Sequence, residues 1–433
     1  MMNNYSEVSR NANVLDKKID YCSVGAHPNN LAQKETVFSL SVFFLSCSII
    51  APKIGVIDLP VAWLLLLVLF NILIVRRYCY YINRNMLLLI IMWALLFILA
   101  STTKLVYGSV AEVVLLKPLR QIILLVLLSM YWLTNKSLNI KSALAAIFVA
   151  AVLNGIVIMA QYGLEAAGLS DEWLIMPGFD KNVNVMYRKP GLTAGYPTAG
   201  LLALIGFFSG LLLYTVIRKR IVLVGLMIIT LSISVTSRLA FYLFIVSSIL
   251  VIFLNIQRPE VWKILMMMVL PLFVVVVVLI EMDIVHHDTI NVMYELFIRF
   301  SETGELSTES SDALLESWSF NIKSVSTLLV GNGLHAKNDF MQTVDAGYQI
   351  NMFGAGIPFS IIYYLIFLMY MQIIYKASIN KNYRLFVIFA VIILLVFEYK
   401  GAVIFSRVVG DCIVILVIAS LYSRNKRQDS NFF

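Results

Sequence analysis

The sequence predicts an all-α polytopic integral membrane protein with about twelve transmembrane helices. Three observations predict it. The 433-residue chain is 60% hydrophobic and only 13% charged, whereas soluble domains are nearer half apolar and a quarter charged. Its apolar residues fall into repeated runs close to the ~20 residues that a spanning helix needs. Its basic residues recur in every second connection between those runs. This composition argues against a soluble enzyme and against a disordered scaffold, which would be polar and charge-rich.

Taken in order, the first 35 residues are polar, with Lys17, Lys18 and Lys34. No charged, apolar and small-residue succession of a cleaved signal precedes the first span, so they read as a cytoplasmic tail. Five helices are expected over 36–52, 57–75, 86–103, 113–133 and 143–165. The first two are divided only by Pro52-Lys53-Ile54-Gly55. An external loop follows at 166–192. Four helices are then expected over 193–217, 221–236, 239–255 and 262–281, and a large external loop over 282–345. Three more, over 346–375, 384–398 and 402–422, lead to a cytoplasmic tail at 423–433.

The positive-inside rule orients the stack. With the amino terminus cytoplasmic, the inner segments hold 20 of the 33 Lys and Arg residues, among them Arg76, Arg77, Arg84, Arg218, Lys219, Arg220, Lys381 and Arg384. The net charge of +8 is thereby topological and implies no nucleic-acid partner. Both termini are expected in the cytoplasm. Cys47 and Cys412 fall in expected spans and Cys22 and Cys79 in inner segments, so no disulfide is expected. No Cys/His pattern suggests zinc. No metal site or cofactor is predicted.

Loops longer than ~12–15 residues are usually functional or disordered, and both external loops exceed that. The second is acidic, with ten Asp/Glu against three Lys/Arg, and holds His286, His287 and His335. Residues 314–320, including Trp318, have the pattern of an amphipathic helix on a bilayer surface. His286-His287 reads as solvated loop.

Several segments are candidates for chemistry. Arg188-Lys189-Pro190-Gly191 runs to Gly195-Tyr196-Pro197 at the mouth of the sixth helix. Arg presents a planar fork of donors suited to phosphate, and the glycines let backbone approach a ligand. The stretch reads either as an anion-binding gate or as an interfacial Arg-Lys pair before a Pro-started helix. Arg238 is the only charge between Arg220 and Arg258. It reads as a functional residue or as an arginine snorkelling at a tight turn. Near Gly331-Asn332-Gly333, His335 is a candidate base or a surface-loop histidine. Arg407 and Asp411, four residues apart, share a helix face and are expected to pair. Glu398 and Lys400 bracket an outer connection, and Glu112, Lys117 and Arg120 stand at the outer start of the fourth helix.

Taken together, these residues resemble the bacterial oligosaccharide repeat-unit polymerases and O-antigen ligases. Three features carry the resemblance. They are Arg188-x-x-Gly191 leading to Tyr196-Pro197, Thr236-Ser237-Arg238 opening a span, and Gly331-x-Gly333…Asp345-x-Gly347-Tyr348…Gly356. It covers roughly residues 185–375, and motif order and topology give it weight. Gly195-Tyr196-Pro197 stands where ligases more usually have Asn-Pro, which leaves polymerase and ligase both open. The resemblance implies a C-type glycosyltransferase membrane fold in the bacterial cytoplasmic membrane. It also implies a donor linked to polyprenyl (undecaprenyl) diphosphate.

The expected function is therefore polymerisation of lipid-linked repeat units into O-antigen or capsule polysaccharide. Arg188 and Arg238 would stabilise the leaving diphosphate, helped by Lys189 and Arg120, with His335 as base. Trp318, Asp345 and Tyr348 would bind sugar hydroxyls. Membrane lipids, a flippase and a chain-length regulator are the expected partners. The alternatives are a ligase with the same donor, and a polyprenyl-glycan flippase or secondary transporter working through Arg407, Asp411 and Glu398.

Overall fold

The computed structural model describes residues 38–54, 57–73, 83–108, 112–135, 138–170, 189–193, 195–254, 325–331, 347–377 and 381–430, with 295–296, 298–304, 308 and 312. The span expected at 262–281, and Cys22 and Cys79, lie outside them.

The described chain is helical apart from one small hairpin. In order it forms α1 (Leu40–Ile50), β1 (Lys53–Ile54), β2 (Ile57–Asp58), α2 (Leu59–Leu73), α3 (Arg84–Tyr107), α4 (Glu112–Thr134) and α5 (Ile140–Ala166). Next come α6 (Tyr196–Ile217), α7 (Arg220–Thr236), α8 (Arg238–Leu254) and the short α9 (Val325–Val330). The sequence closes with α10 (Gly347–Lys376), α11 (Lys381–Lys400) and α12 (Arg407–Ser430). α3, α4 from Val114, α5, α6, α10 and α11 are each long and apolar enough to cross a membrane. This is an all-α polytopic membrane protein.

Local chemistry sets the boundaries. Asn83 caps α3 by accepting the Asn85 N–H at 2.9 Å. Asn139 and Ser142 form a reciprocal capping box at the start of α5, satisfying donors that a helix leaves open at its first turn. α6 starts on Tyr196-Pro197, where proline lacks only an N–H that would be unpaired anyway. α12 begins at Arg407 and not at 402 as expected. The reason is that Val403 and Ile404 give their N–H groups to the Glu398 carboxylate at 2.8 and 2.9 Å, which folds residues 401–406 back over the end of α11.

Side-chain contacts define two ends of the bundle. At one, Asp58, Arg120 and Asp411 meet, Arg407 donates to the Ala51 carbonyl, and Thr103 donates to Val330 O at 2.6 Å. At the other, Asn71 donates to Thr134 Oγ1 at 3.2 Å, and Ser129 and Tyr422 both reach Met86 Sδ. Helices therefore alternate up and down. Arg84, Lys141, Arg218, Lys219, Arg220, Lys376, Lys381 and Arg384 all fall at the second, basic end.

α12 lies at the centre and packs against α1, α4, α5, α6 and α10. Val408 through Tyr422 is buried at every position, as befits a helix that is apolar all round. Trp93, Tyr363, Tyr370 and Phe405 cluster edge to face beside its start, and Trp93 Nε1 donates to Tyr370 Oη at 2.7 Å. Cys47 and Cys412 are free thiols.

Candidate functional site

The candidate site occupies the end of the bundle opposite the basic connections. Its first part is the corner of α5, α6, α7 and α8. Asn154 and Gln161 are seven apart and so share one face of α5. Asn154 Oδ1 accepts the Leu192 N–H at 2.7 Å, and Gln161 Oε1 accepts the Gly191 N–H at 3.0 Å. One turn further along, Glu165 pairs with Lys189 at 3.1 Å. The Lys189 side chain is only 3% exposed, so its charge is neutralised within the protein.

The same corner holds Arg238. Tyr162 donates to Val235 O at 3.0 Å, which ties α5 to the end of α7. A Cβ at Gly200 would lie 2.6 Å from Ser237 Cβ, so only glycine lets α6 approach the turn at Ser237. Arg238 opens α8 immediately after that turn, with its side chain 13% exposed and ion-paired to Glu295. The segments at 189–200 and 236–238, separate in sequence, are thus joined in space through α5.

The second part is a network of four ions. Arg120 gives two parallel hydrogen bonds to the Asp411 carboxylate, at 2.6 and 2.9 Å, and its Nε–H to Asp58. Arg407 lies 3.8 Å from Asp58. The expected pairing of Arg407 with Asp411 is corrected. Asp411 faces α4, where the fork of Arg120 matches its two oxygens, and Arg407 turns to the hairpin instead.

The third part surrounds Glu398, which is fully buried. Its carboxylate accepts from Asn351 Nδ2 at 3.1 Å, from Tyr364 Oη at 3.2 Å, and from the two backbone N–H groups of the 401–406 turn. Lys117 stands close by, 3.5 Å from Tyr363 Oη and over the Tyr363 ring. Tyr348 donates to Leu395 O at 3.0 Å, and its ring leans on Tyr364 at 5.3 Å.

The glycines of the 331–356 motif have a packing role here. Gly331 and Gly356 adopt φ of +78° and +88°. A Cβ at Gly356 would fall 2.4 Å from Leu329 O, so these glycines bring the end of α9 against the unwound point of α10.

Of the residues singled out from sequence, Lys189, Arg120, Arg238 and Tyr348 are described and all lie at this end. Arg188, Trp318, His335 and Asp345 lie outside the described residues. Sequence reasoning missed Asp58, Asn154, Gln161, Glu165, Glu295, Asn351 and Tyr364. The seven-residue spacing of Asn154 and Gln161 on an otherwise apolar helix was a usable signal. The others carry none, because their partners are remote in the chain. The sequence matches no protein-family model and no curated protein.

Proposed function

We propose that this chain is a membrane glycosyltransferase that polymerises polyprenyl-diphosphate-linked repeat units into a cell-surface polysaccharide. In this reading the bundle has about twelve spans on a C-type glycosyltransferase plan. It sits in the bacterial cytoplasmic membrane with both termini and the basic end inside. The site then faces outward, where the lipid-linked donor presents its diphosphate and glycan.

One observation carries the reading. Among the described residues, the ionic side chains buried in the helices gather at the end opposite the basic connections, with Arg238 poised at the mouth of α8 against Glu295. A diphosphate is a stronger anion than one carboxylate and can displace Glu295 from Arg238. The guanidinium then stabilises charge developing on the leaving group. The acceptor hydroxyl attacks the anomeric carbon and forms a new C–O bond. The bond to diphosphate breaks, and its electron pair leaves with the diphosphate. The hydroxyl proton passes to a base, for which His335 is the candidate. Arg188 is assigned to the same leaving group.

A flippase or transporter needs a polar route through the bundle. From Cys412 to Ala419 the central helix carries no charge, which favours an enzyme. A ligase would use the same donor and differ in its product.

The test is incubation of the purified protein with lipid-linked repeat units. A ladder of growing chains is expected, and a single capped product would point to a ligase. Arg238→Ala should lower extension by about 10²-fold or more, with the protein still in the membrane. Full activity in both Arg188→Ala and Arg238→Ala would overturn the mechanism. Transport of lipid-linked glycan without lengthening would overturn the enzyme reading.

A further inference from the structure

A polymerase joins two molecules that each carry a polyprenyl diphosphate. The donor gives its diphosphate up, and the acceptor keeps it. The site end of the bundle then has to hold two such groups, and Arg238 accounts for one. A second group of cations stands at the same end, beside α4. The central helix α12 packs against both α5, whose corner holds Arg238, and α4, which carries Lys117 and Arg120. Those two residues are three apart and so are neighbours on one helix face, with Cβ atoms ~5–6 Å apart. Arg407 joins them from the start of α12, where it and Arg120 both face Asp58.

This cluster has donors to spare. Arg407 donates to the Ala51 carbonyl, but its Nε lies 3.8 Å from Asp58 Oδ1, too far for a hydrogen bond. Both of those atoms are buried and have no hydrogen-bond partner. Gln121, next to Arg120, is fully buried with neither amide atom hydrogen-bonded. Its Nε2 faces the first turn of α12, 2.9 Å from where a Cβ on Gly410 would lie. Ser406 Oγ, just before that turn, is buried and unpartnered as well. Lys117 makes one long hydrogen bond, to Tyr363 Oη at 3.5 Å, and the Glu398 carboxylate near it is taken up by four other donors. Proteins rarely leave buried polar groups unmet. Open donors on Gln121, Ser406 and Arg407 beside three cations suit an anion with several oxygens. The cluster is also reachable, because Asp58 and Arg407 keep 22% and 23% exposure.

We propose, resting on the polymerase reading, that Lys117, Arg120 and Arg407 hold the diphosphate of the acceptor, the repeat unit that keeps its lipid. Asp58 occupies the place of that anion. It is one carboxylate on a hairpin of two-residue strands, and a diphosphate brings more charge and more acceptor oxygens. The diphosphate displaces Asp58 and takes the open donors of Arg407, Gln121 and Ser406. Arg120 keeps both arms on Asp411, so the tie between α4 and α12 survives the exchange. After transfer the lengthened product still carries its lipid diphosphate, and this cluster retains it while the spent diphosphate leaves Arg238.

The experiment is equilibrium dialysis of the full chain in detergent against labelled farnesyl diphosphate. Two molecules should bind per chain. Arg238→Ala should leave one, and Lys117→Gln with Arg407→Gln should weaken the other at least about tenfold, the worth of a charge-assisted hydrogen bond. Asp58→Asn removes the competing carboxylate and should tighten that site about fivefold, the effect of one unit charge near 4 Å in a well-screened setting. It removes no cation, so it reads the site independently of any folding loss in the double variant. Lys104→Gln, an exposed cation at the same end, should change neither site. Phosphatidylglycerol at equal concentration should displace neither molecule. In chain extension with titrated single repeat units, the double variant should raise the KM for them at least about tenfold, whereas Arg238→Ala acts on kcat. One molecule bound by the wild-type protein, two held unchanged by the double variant, displacement by phosphatidylglycerol, or weaker binding in Asp58→Asn would each overturn the second site. Two molecules bound without any chain extension would keep the site and overturn the polymerase reading instead.

Discussion

Asp411, one turn into the buried helix α12, accepts both arms of the Arg120 guanidinium, at 2.6 and 2.9 Å. The two residues are 291 positions apart in the chain. Their pairing joins α4 to the centre of the bundle, and Asp58 on the same guanidinium extends the tie to the hairpin between α1 and α2.

Removing Asp411 takes away the two-armed partner of a largely buried arginine and leaves Asp58 as its carboxylate among the described residues. Asp411→Asn should therefore destabilise the protein by about 3 kcal/mol, the lower end for a buried pair, because Arg120 keeps 16% exposure. The thermal midpoint of the detergent-solubilised protein should fall. Asp58→Asn combined with Arg120→Met and Asp411→Leu should recover much of the loss, since all three charges that meet at the Arg120 guanidinium are then gone. A wild-type midpoint for Asp411→Asn would show that the pair does not hold the bundle.

Asn154 anchors the segment before α6 by accepting the Leu192 N–H. Asn154→Ala leaves that N–H without its partner, at a cost of about 1–3 kcal/mol. The loss is local, so limited proteolysis should cut around residues 189–193 faster while helix content by circular dichroism stays the same. Equal cleavage rates would remove Asn154 as the anchor.

Gly356 and Gly163 should respond oppositely to alanine. At Gly356 the new Cβ meets a backbone carbonyl at 2.4 Å and φ is +88°, so Gly356→Ala should cost at least about 2 kcal/mol. At Gly163, inside α5, nothing lies within 4 Å of the added atom. There Gly163→Ala should stabilise by roughly 0.5–1 kcal/mol through helix propensity. Parallel denaturation curves would test the pair, and similar shifts would contradict the close approach of α9 to α10.

Hydropathy located most helices well, because a membrane span must be a long apolar run. α6 is expected from 193 to 217 and observed as Tyr196–Ile217, while α5 and α10 match to within a few residues. The turn at Ser237 and the position of Arg238 just after it were likewise readable from a lone charge between two apolar runs. Ion pairing was not. Spacing within α12 suggested Arg407 with Asp411, but helical periodicity sees only neighbours on one helix. It is silent on Arg120 and Asp58, which arrive from other elements. The cage around Glu398 is hidden for the same reason. Two of its donors are backbone N–H groups of the turn at 401–406, which no side-chain pattern announces.

The central place of α12 has a consequence for synthesis. A ribosome delivers α1, α4, α5, α6 and α10 to the membrane before it reaches Arg407. Until then the faces of these helices that α12 covers lack their partner, and Arg120 lacks the carboxylate that takes both its arms. The nascent protein must therefore hold an open, incomplete assembly for most of its translation. Closure comes as one late event, when Asp411 is threaded in and the core is sealed.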